Sequence, residues 1–203
     1  MELYSKTNLL IRQSSTLIII DWDDTLFPTS WMVKHNINLQ ETNKIYIKYF
    51  NKLDEQLYSL LKDILLCGDV VIITNATKSW IHTSLNVLPK TKKLMEYIEL
   101  VSAREKYQNY VVMDNWKKHT FLDEINKRQT QYNNIISIGD AEYEYNALVN
   151  LYKESNIKHK YLKAIRFLKT INNNKFIEQL VLLHQNITHI CKLTRHTDIV
   201  IME

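Results

Sequence analysis

Residues 16–25 read TLIIIDWDDT, an apolar and largely β-branched run that ends in acidic residues. Such a run is typical of a strand buried on both faces, and Asp21 would follow its carboxyl end. Two further segments repeat the pattern, VVIITN at 70–75 and IISIGD at 135–140. Because strands buried on both faces belong mostly to parallel sheets, these segments predict a parallel sheet.

Helical patterns alternate with these strands. The clearest covers 42–66, where Tyr49, Leu53, Leu57 and Leu60 recur on one face. Further helices are predicted over 78–87, 91–97, 174–192, around Ala147–Leu151, and from a cap at Asp114 or Asn115 to about 128; further strands are predicted over 98–102 and 161–168. The alternation predicts an α/β fold, with a doubly wound, mainly parallel, Rossmann-like sheet that carries helices on both faces. We expect a single domain over 1–203.

The chain contains only two glycines in 203 residues, Gly68 and Gly139, where average usage would give about 14. Neither lies in the sequence of a P-loop, a dinucleotide fingerprint or a nucleophile elbow, so glycine-rich phosphate cradles are excluded. The net charge of +4 is small and scattered and does not indicate a nucleic-acid partner. We expect no membrane span, because no apolar run approaches about 18 residues.

The two cysteines, Cys67 and Cys191, form no motif and fit free thiols in a reducing compartment. The first residues, MELYSKTNLLIRQ, lack the apolar core of a signal peptide. These features favour a cytoplasmic location; a secreted effector acting in a host cytosol also fits them.

Acidic and hydroxyl residues follow the ends of the predicted strands. In open parallel sheets, ligands bind outside the carboxyl ends of the strands, where Asp21, Asp23, Thr74 and Asp140 would converge. Converging carboxylates repel each other unless a cation neutralises them, and all-oxygen ligands favour Mg²⁺. A carboxylate beside Mg²⁺ can attack phosphorus, and a second carboxyl group can protonate the leaving oxygen.

At these residues the sequence resembles the haloacid dehalogenase (HAD) superfamily of aspartate-nucleophile phosphotransferases. The resemblance lies in the strings LIIIDWDDTL, VVIITN and IISIGDAEYE, which occur in the family's order, and it covers roughly residues 15–182. The acid at Asp23 is absent from the family's dehalogenases and ion-pumping ATPases, so the resemblance favours phosphoester hydrolysis. A phosphomutase also retains this acid and stays open.

The resemblance implies a role for each strand-end residue. Asp21 would be the nucleophile and Asp23 the general acid and base. Mg²⁺ would be held by the Asp21 carboxylate, the Asp23 backbone carbonyl and Asp140. Thr74 would bind phosphate, helped by the backbone amide of Asn75.

The family's remaining residues are a phosphate-binding lysine and a second acid after the last catalytic strand. Lys117 is the preferred lysine, and Lys118 and Lys106 are alternatives. The second acid is usually an aspartate four residues after the first, but position 144 is Glu144, with Glu142 also within reach. A glutamate there would touch the metal through water.

HAD enzymes select substrates largely through inserted caps, and this chain leaves room only for a flap at about 26–41. A capless or minimally capped site would admit a phosphorylated protein, with Trp31, Trp80 and the lysines at 90, 92 and 93 lining its surface. The sequence therefore predicts a Mg²⁺-dependent phosphatase that forms an aspartyl phosphate, acting on phosphotyrosine or on phosphoserine and phosphothreonine in proteins. The alternatives are a phosphatase of small phosphorylated metabolites and a catalytically silent phosphate-binding module.

Overall fold

The fold is built from strands and helices that alternate along the chain. The computed structural model describes residues 15–40, 44–128, 132–154 and 160–202. The strands are β1 (Thr16–Ile20), β2 (Asp69–Thr74), β3 (Glu99–Ser102), β4 (Asn134–Gly139), β5 (Tyr161–Phe167) and β6 (Thr197–Ile201). The helices are α1 (Thr29–Lys34), α2 (Lys44–Cys67), α3 (Lys78–Ser84), α4 (Pro89–Leu94), α5 (Ala103–Tyr107), α6 (Met113–Lys127), α7 (Glu142–Glu154) and α8 (Asn173–Lys192). Short 3₁₀ turns follow α3 and α4.

The strands form one parallel sheet in the order β3-β2-β1-β4-β5-β6. Ile20 of β1 lies beside Ile72 of β2 and Ile138 of β4, so these three strands end at the same edge. The chain leaves β1 toward β2 on one side and later returns to β4 on the other, which makes the β1–β4 boundary the topological switch point. The predicted doubly wound, Rossmann-like α/β fold is confirmed.

The side chains of β1 alternate between two apolar cores. Ile18 and Ile20 face a core shared with α1, α2, α3 and α8, whereas Leu17 and Ile19 face a core shared with α6 and α7. Burial on both faces explains why β1 is apolar at every central position instead of alternating with polar residues. Among the described residues, no helix combines the length and apolar character needed to cross a membrane.

Most predicted elements occur within a few residues of their expected bounds, and the differences have local causes. The expected cap at Asp114 or Asn115 is wrong, because α6 begins at Met113 and both residues lie in its first turn. Three short elements were not predicted, namely α1, α5 and β6. The edge strand β6 pairs with β5 alone and carries the polar residues Thr197 and Asp198, so it lacks the apolar run that marks the inner strands.

The segment predicted as a flap at about 26–41, of which the structure describes residues up to 40, is packed into the fold in its first part and exposed at residues 33–36. Leu26 and Phe27 are fully buried, and Trp31 of α1 is only 5% exposed because it packs against Tyr49 and Phe50 of α2. The expectation that Trp31 lines an open surface is therefore wrong. Aromatic packing ties this segment to the core.

Lys163 is a buried basic residue that the sequence did not single out. It lies on β5, is fully buried, and donates hydrogen bonds from Nζ to the backbone carbonyls of Ile190 (2.7 Å) and Cys191 (3.1 Å). These carbonyls belong to the last turn of α8, where a helix leaves its acceptors unpaired and carries partial negative charge. Burial lowers the pKa of Lys163 to about 8.

We predict that replacing Lys163 with methionine destabilises the fold in a pH-dependent way. The unfolded chain binds more protons than the folded chain between the lowered pKa, about 8, and the ordinary value of 10.5, so the wild-type free energy of unfolding rises across this window. Near pH 10 the free energy of unfolding of the wild type should exceed that of Lys163→Met by about 2 kcal/mol, because the variant loses two hydrogen bonds from Nζ. The Ile190 carbonyl keeps the Leu193 N–H and the Cys191 carbonyl keeps the Asn134 side-chain amide. Toward pH 8 this advantage should shrink by up to about 1.4 kcal/mol per pH unit.

Urea denaturation across this window measures the effect. The control is Lys62→Met, which changes an exposed lysine on α2. If the difference in free energy of unfolding between wild type and Lys163→Met does not vary with pH, the lowered pKa of Lys163 in the folded protein is contradicted.

Candidate active site

The candidate site lies where β1 and β4 end side by side. The Asp21 backbone N–H continues the sheet by donating to the Ile138 carbonyl at 2.9 Å, which directs the chain from β1 over the end of β4. Trp22 turns inward, is fully buried, and donates from Nε1 to the Ser84 hydroxyl at 3.0 Å. Trp22 thus packs beneath the acidic loop, as expected from its position between two acids, and leaves Asp21 and Asp23 at the sheet edge.

Asp24, which received no role from the sequence, shapes the turn after β1. Its φ of 55° is in the left-handed region, which aspartate tolerates better than most residues. Its carboxylate accepts hydrogen bonds from the Ser30 backbone N–H at 2.7 Å and from the Ser30 hydroxyl. The signal that could have identified it is an acid placed just ahead of the Pro28-Thr29-Ser30 helix start.

Two hydrogen-bond donors orient the carboxylate of Asp23. Oδ1 accepts from Trp80 Nε1 at 2.8 Å and from the Thr29 hydroxyl. Trp80 lies on α3, which follows β2, so one side chain links the loops after the first two strands. Because both donors contact Oδ1, the orientation of the carboxylate is set before any ligand arrives.

The structure brings Lys117 to the site and leaves the alternative lysines elsewhere. Lys117 is 2% exposed, and its Nζ donates to Asp21 Oδ1 at 2.6 Å and to the Glu144 carboxylate. Lys118 contacts Asn115 on its own helix, and Lys106 pairs with Asp123. Of the three candidate lysines, Lys117 is therefore the one whose ammonium group contacts Asp21, the predicted nucleophile.

Glu144 and Glu142 have different surroundings. Both Glu144 oxygens are engaged, one with Lys117 and the other with the Ala141 backbone N–H at 3.0 Å, the reciprocal bond of a helix-capping box. A Cβ at position 139 would lie 2.3 Å from Glu144 Cγ, so Gly139 makes room for this acid. Glu144 thus holds Lys117 in place through a hydrogen-bonded ion pair. Its expected contact with a metal through water stays a prediction. Glu142 is exposed and pairs with Arg166.

Carboxylates outnumber cations at the site. Burial raises the pKa of Asp21 to about 8, and Glu144 and Asp140 add to the rise while Lys117 only partly offsets it. Burial likewise raises the pKa of Asp140 to about 7, with Glu144 and Asp24 contributing. The negative charge of these groups is therefore only partly neutralised by Lys117.

Thr74 and Asn75 lie beside these residues at the end of β2. The Thr74 hydroxyl is fully buried and accepts from the Ala76 backbone N–H at 3.0 Å. Within the described residues, the buried oxygens Asn75 Oδ1 and Thr25 Oγ1 have no hydrogen-bond partner. Buried polar atoms are nearly always paired in proteins, and a water molecule would satisfy such oxygens. Tyr49 Oη and Asn134 Oδ1, which lie away from the site, are unpaired as well in the described part of the chain.

The oxygen ligands available at the site suit a hard divalent cation, although few side chains supply them. Among the described residues, no group of three or more His, Cys, Asp and Glu side chains gathers in a metal-holding arrangement. The set implied by the family resemblance needs only two side chains, Asp21 and Asp140, because the third ligand is the Asp23 backbone carbonyl. All three are oxygen donors, and the partly neutralised carboxylates favour a cation, so the residues fit Mg²⁺.

Comparisons with known proteins add little to this description. No protein-family model and no curated protein matches the chain. Among solved structures, that of DsGPDH of Dunaliella salina is similar over 77% of this chain, at 14% sequence identity and a TM-score of 0.37. The chain spans 32% of the length of that structure. A similarity this weak supports no argument about function.

We predict that Lys117→Met destabilises the fold far more than Lys118→Met. Loss of Lys117 leaves the buried carboxylates of Asp21 and Glu144 without their shared cation, which should cost about 3–5 kcal/mol. Lys118 is half-buried and donates a hydrogen bond to the neutral side chain of Asn115 on its own helix, so the free energy of unfolding of its variant should stay within about 0.5 kcal/mol of the wild type. Urea denaturation of both variants measures the difference, and equal effects at the two neighbouring lysines would contradict the ion-pair geometry.

Proposed function

We propose that this chain is a Mg²⁺-dependent phosphomonoester hydrolase of the haloacid dehalogenase type, acting through an aspartyl phosphate on Asp21. The observation that carries the proposal is the convergence of Asp21, Lys117 and Asp140 at the switch point of the sheet, with the Asp23 carboxylate oriented beside them. The family resemblance names the same residues, and each of them is supplied by a different loop or helix.

The first half of the reaction transfers the phosphoryl group to the protein. A carboxylate oxygen of Asp21 forms a bond to phosphorus while the bond from phosphorus to the ester oxygen breaks. Asp23 gives its proton to the departing oxygen, which leaves as an alcohol or a phenol. Lys117, already hydrogen-bonded to Asp21, would lie within reach of the transferred phosphoryl oxygens and balance their charge.

The second half returns Asp21 to its starting state. Asp23, now deprotonated, accepts a proton from water while the water oxygen bonds to phosphorus and the bond to Asp21 breaks. Inorganic phosphate leaves. The hydrogen bonds from Trp80 and Thr29 keep the Asp23 carboxylate in one orientation for both proton transfers.

A bound Mg²⁺ would supply charge neutralisation between the Asp21 carboxylate and the phosphoryl oxygens. The residues that would hold it are Asp21, Asp140 and the backbone carbonyl of Asp23. Thr74 and the backbone amide of Asn75 would contact the remaining phosphoryl oxygens, beside the unpaired Asn75 Oδ1.

A phosphorylated protein is the substrate class that we propose. The segment between β1 and β2 is occupied by α1, anchored through Trp31, and by α2, which packs on the sheet, rather than by a cap domain over the described residues. A surface cavity of about 380 Å³, lined by residues of the 32–40 segment and by Trp80 and Thr83, lies next to the Asp23 partner Trp80. Such a cavity would accept groups flanking a phosphorylated side chain.

We predict that the protein hydrolyses p-nitrophenyl phosphate with Mg²⁺ and that Asp21→Asn lowers kcat by at least about a thousandfold, because the amide is a poor nucleophile. The matched control is Asp114→Asn, which changes an exposed acid in the first turn of α6 and should retain wild-type turnover. Steady-state assays of the three proteins, with and without Mg²⁺, test the proposal. Turnover retained by Asp21→Asn would contradict it, and phosphate binding by a wild type without turnover would support a silent binding module instead.

We further predict a preference for phosphopeptides over free phosphorylated metabolites. Peptides with phosphotyrosine, phosphoserine or phosphothreonine should give kcat/KM values at least about tenfold above those for sugar phosphates and nucleotides, since the flanking residues add binding energy at the open site. Released phosphate measures each rate. Full activity on sugar phosphates with none on phosphopeptides would replace the protein-phosphatase proposal with the metabolite phosphatase.

A further inference from the structure

The two cysteines, which form no motif in the sequence, meet at the edge of the sheet opposite the candidate active site. Cys67 is the last residue of α2, and Cys191 lies in the last turn of α8. Both are half-buried and line one cavity of about 780 Å³, together with Thr16 and Asn134 at the starts of β1 and β4. They are the only cysteines in the chain.

The helices that carry the cysteines run side by side in the same direction. His184 of α8 contacts Asp63 of α2 at 2.9 Å, and the two helices share one apolar core. Asp63 lies one turn before the end of α2, and His184 lies about two turns before the end of α8. The convergence of the two cysteines therefore follows from extensive helix packing. A solvent-open cavity beside them gives small molecules access.

The two thiols have unequal surroundings. Opposing effects act on the pKa of the Cys67 thiol: contacts with Cys191 and Thr188 and the charge of Lys192 lower it, whereas burial and the charge of Asp63 raise it. The hydrogen bond from Cys191 is the largest of the effects that lower the pKa of Cys67, to about 7. The same contact, with burial, raises the pKa of Cys191. A thiolate beside a protonated thiol is the arrangement of a reactive cysteine and a resolving partner.

We propose that Cys67 and Cys191 form a redox-active dithiol site that reacts with peroxides and closes to an intramolecular disulfide. The Cys67 thiolate attacks one peroxide oxygen, the O–O bond breaks, and the other oxygen departs as hydroxide. Cys67 is thereby converted to a sulfenic acid. The Cys191 sulfur then attacks the Cys67 sulfur, the S–O bond breaks, and the hydroxide released takes up the Cys191 proton as water. With hydrogen peroxide, two thiols become one disulfide and two waters are released; a thiol reductant reverses the oxidation.

The disulfide would join the ends of α2 and α8 across most of the chain. Closing so long a loop restricts the unfolded state, so the oxidised protein should unfold at a higher temperature than the reduced one. The site does not depend on the proposed hydrolase activity, because neither cysteine belongs to the residues gathered at the ends of β1 and β4.

The test compares the full-length wild type with Cys67→Ser and Cys191→Ser after exposure to hydrogen peroxide. The wild type should lose two hydrogens in its intact mass, lose both free thiols, stay monomeric on a non-reducing gel, and recover with dithiothreitol. Cys191→Ser should retain a sulfenic acid at Cys67 that dimedone traps, whereas Cys67→Ser should react at least about tenfold more slowly. Circular dichroism spectra of the two variants should match that of the wild type, which controls for loss of the fold.

Three outcomes would overturn the proposal. The first is equal dimedone trapping in the two single variants, because the thiols would then be equivalent. The second is a disulfide that links two chains, and the third is a folded wild type whose thiols survive peroxide unchanged. Phosphatase assays of the same samples are independent, so failure of the dithiol site and failure of the proposed hydrolase are told apart.

Discussion

The buried ammonium group of Lys117 is the interaction on which the candidate site depends. It joins Asp21, at the end of β1, to Glu144, in the first turn of α7, and it comes from a third element, α6. A lysine this deeply buried must be paired, because an isolated charge away from water is costly. The pairing therefore constrains where α6 and α7 begin relative to β1, and the loops around the site follow from that constraint.

Gly139 shows how tight the constraint is. Glu144 reaches back over the end of β4 to contact Lys117, and its side chain fills the space that a Cβ at position 139 would occupy. The chain uses glycine only twice, and in both places the neighbouring atoms leave no room for a side chain; at Gly68 the obstacle is the backbone of Thr16. The scarcity of glycine that excludes glycine-rich phosphate loops thus leaves glycine only where close packing requires it.

Much of the fold could be predicted from the sequence because its central strands are buried on both faces. Apart from Ser137, the central positions of β1 and β4 carry only apolar side chains. Each strand therefore stands out in the sequence as a continuous buried run. The short elements α1, α5 and β6 could not be predicted, because their burial depends on distant partners. Trp31 illustrates this, since packing against Tyr49 and Phe50 buries a side chain that was expected at an open surface.

The sequence by itself determined the α/β class, the alternation of strands and helices, and the positions of Asp21, Asp23, Thr74 and Asp140 at or just after strand ends. These are local properties, set by hydrophobic periodicity and by the residue that follows each apolar run. Tertiary structure alone decided what depends on contacts between distant segments. It placed the ammonium group of Lys117 against Asp21 and Glu144, while Lys118 and Lys106 pair elsewhere.

Tertiary structure also brought together two cysteines that are far apart in the chain. The physical reason is the same in each case. A side chain's partners are chosen by how helices and strands pack, and neither the spacing of residues nor their composition contains that information.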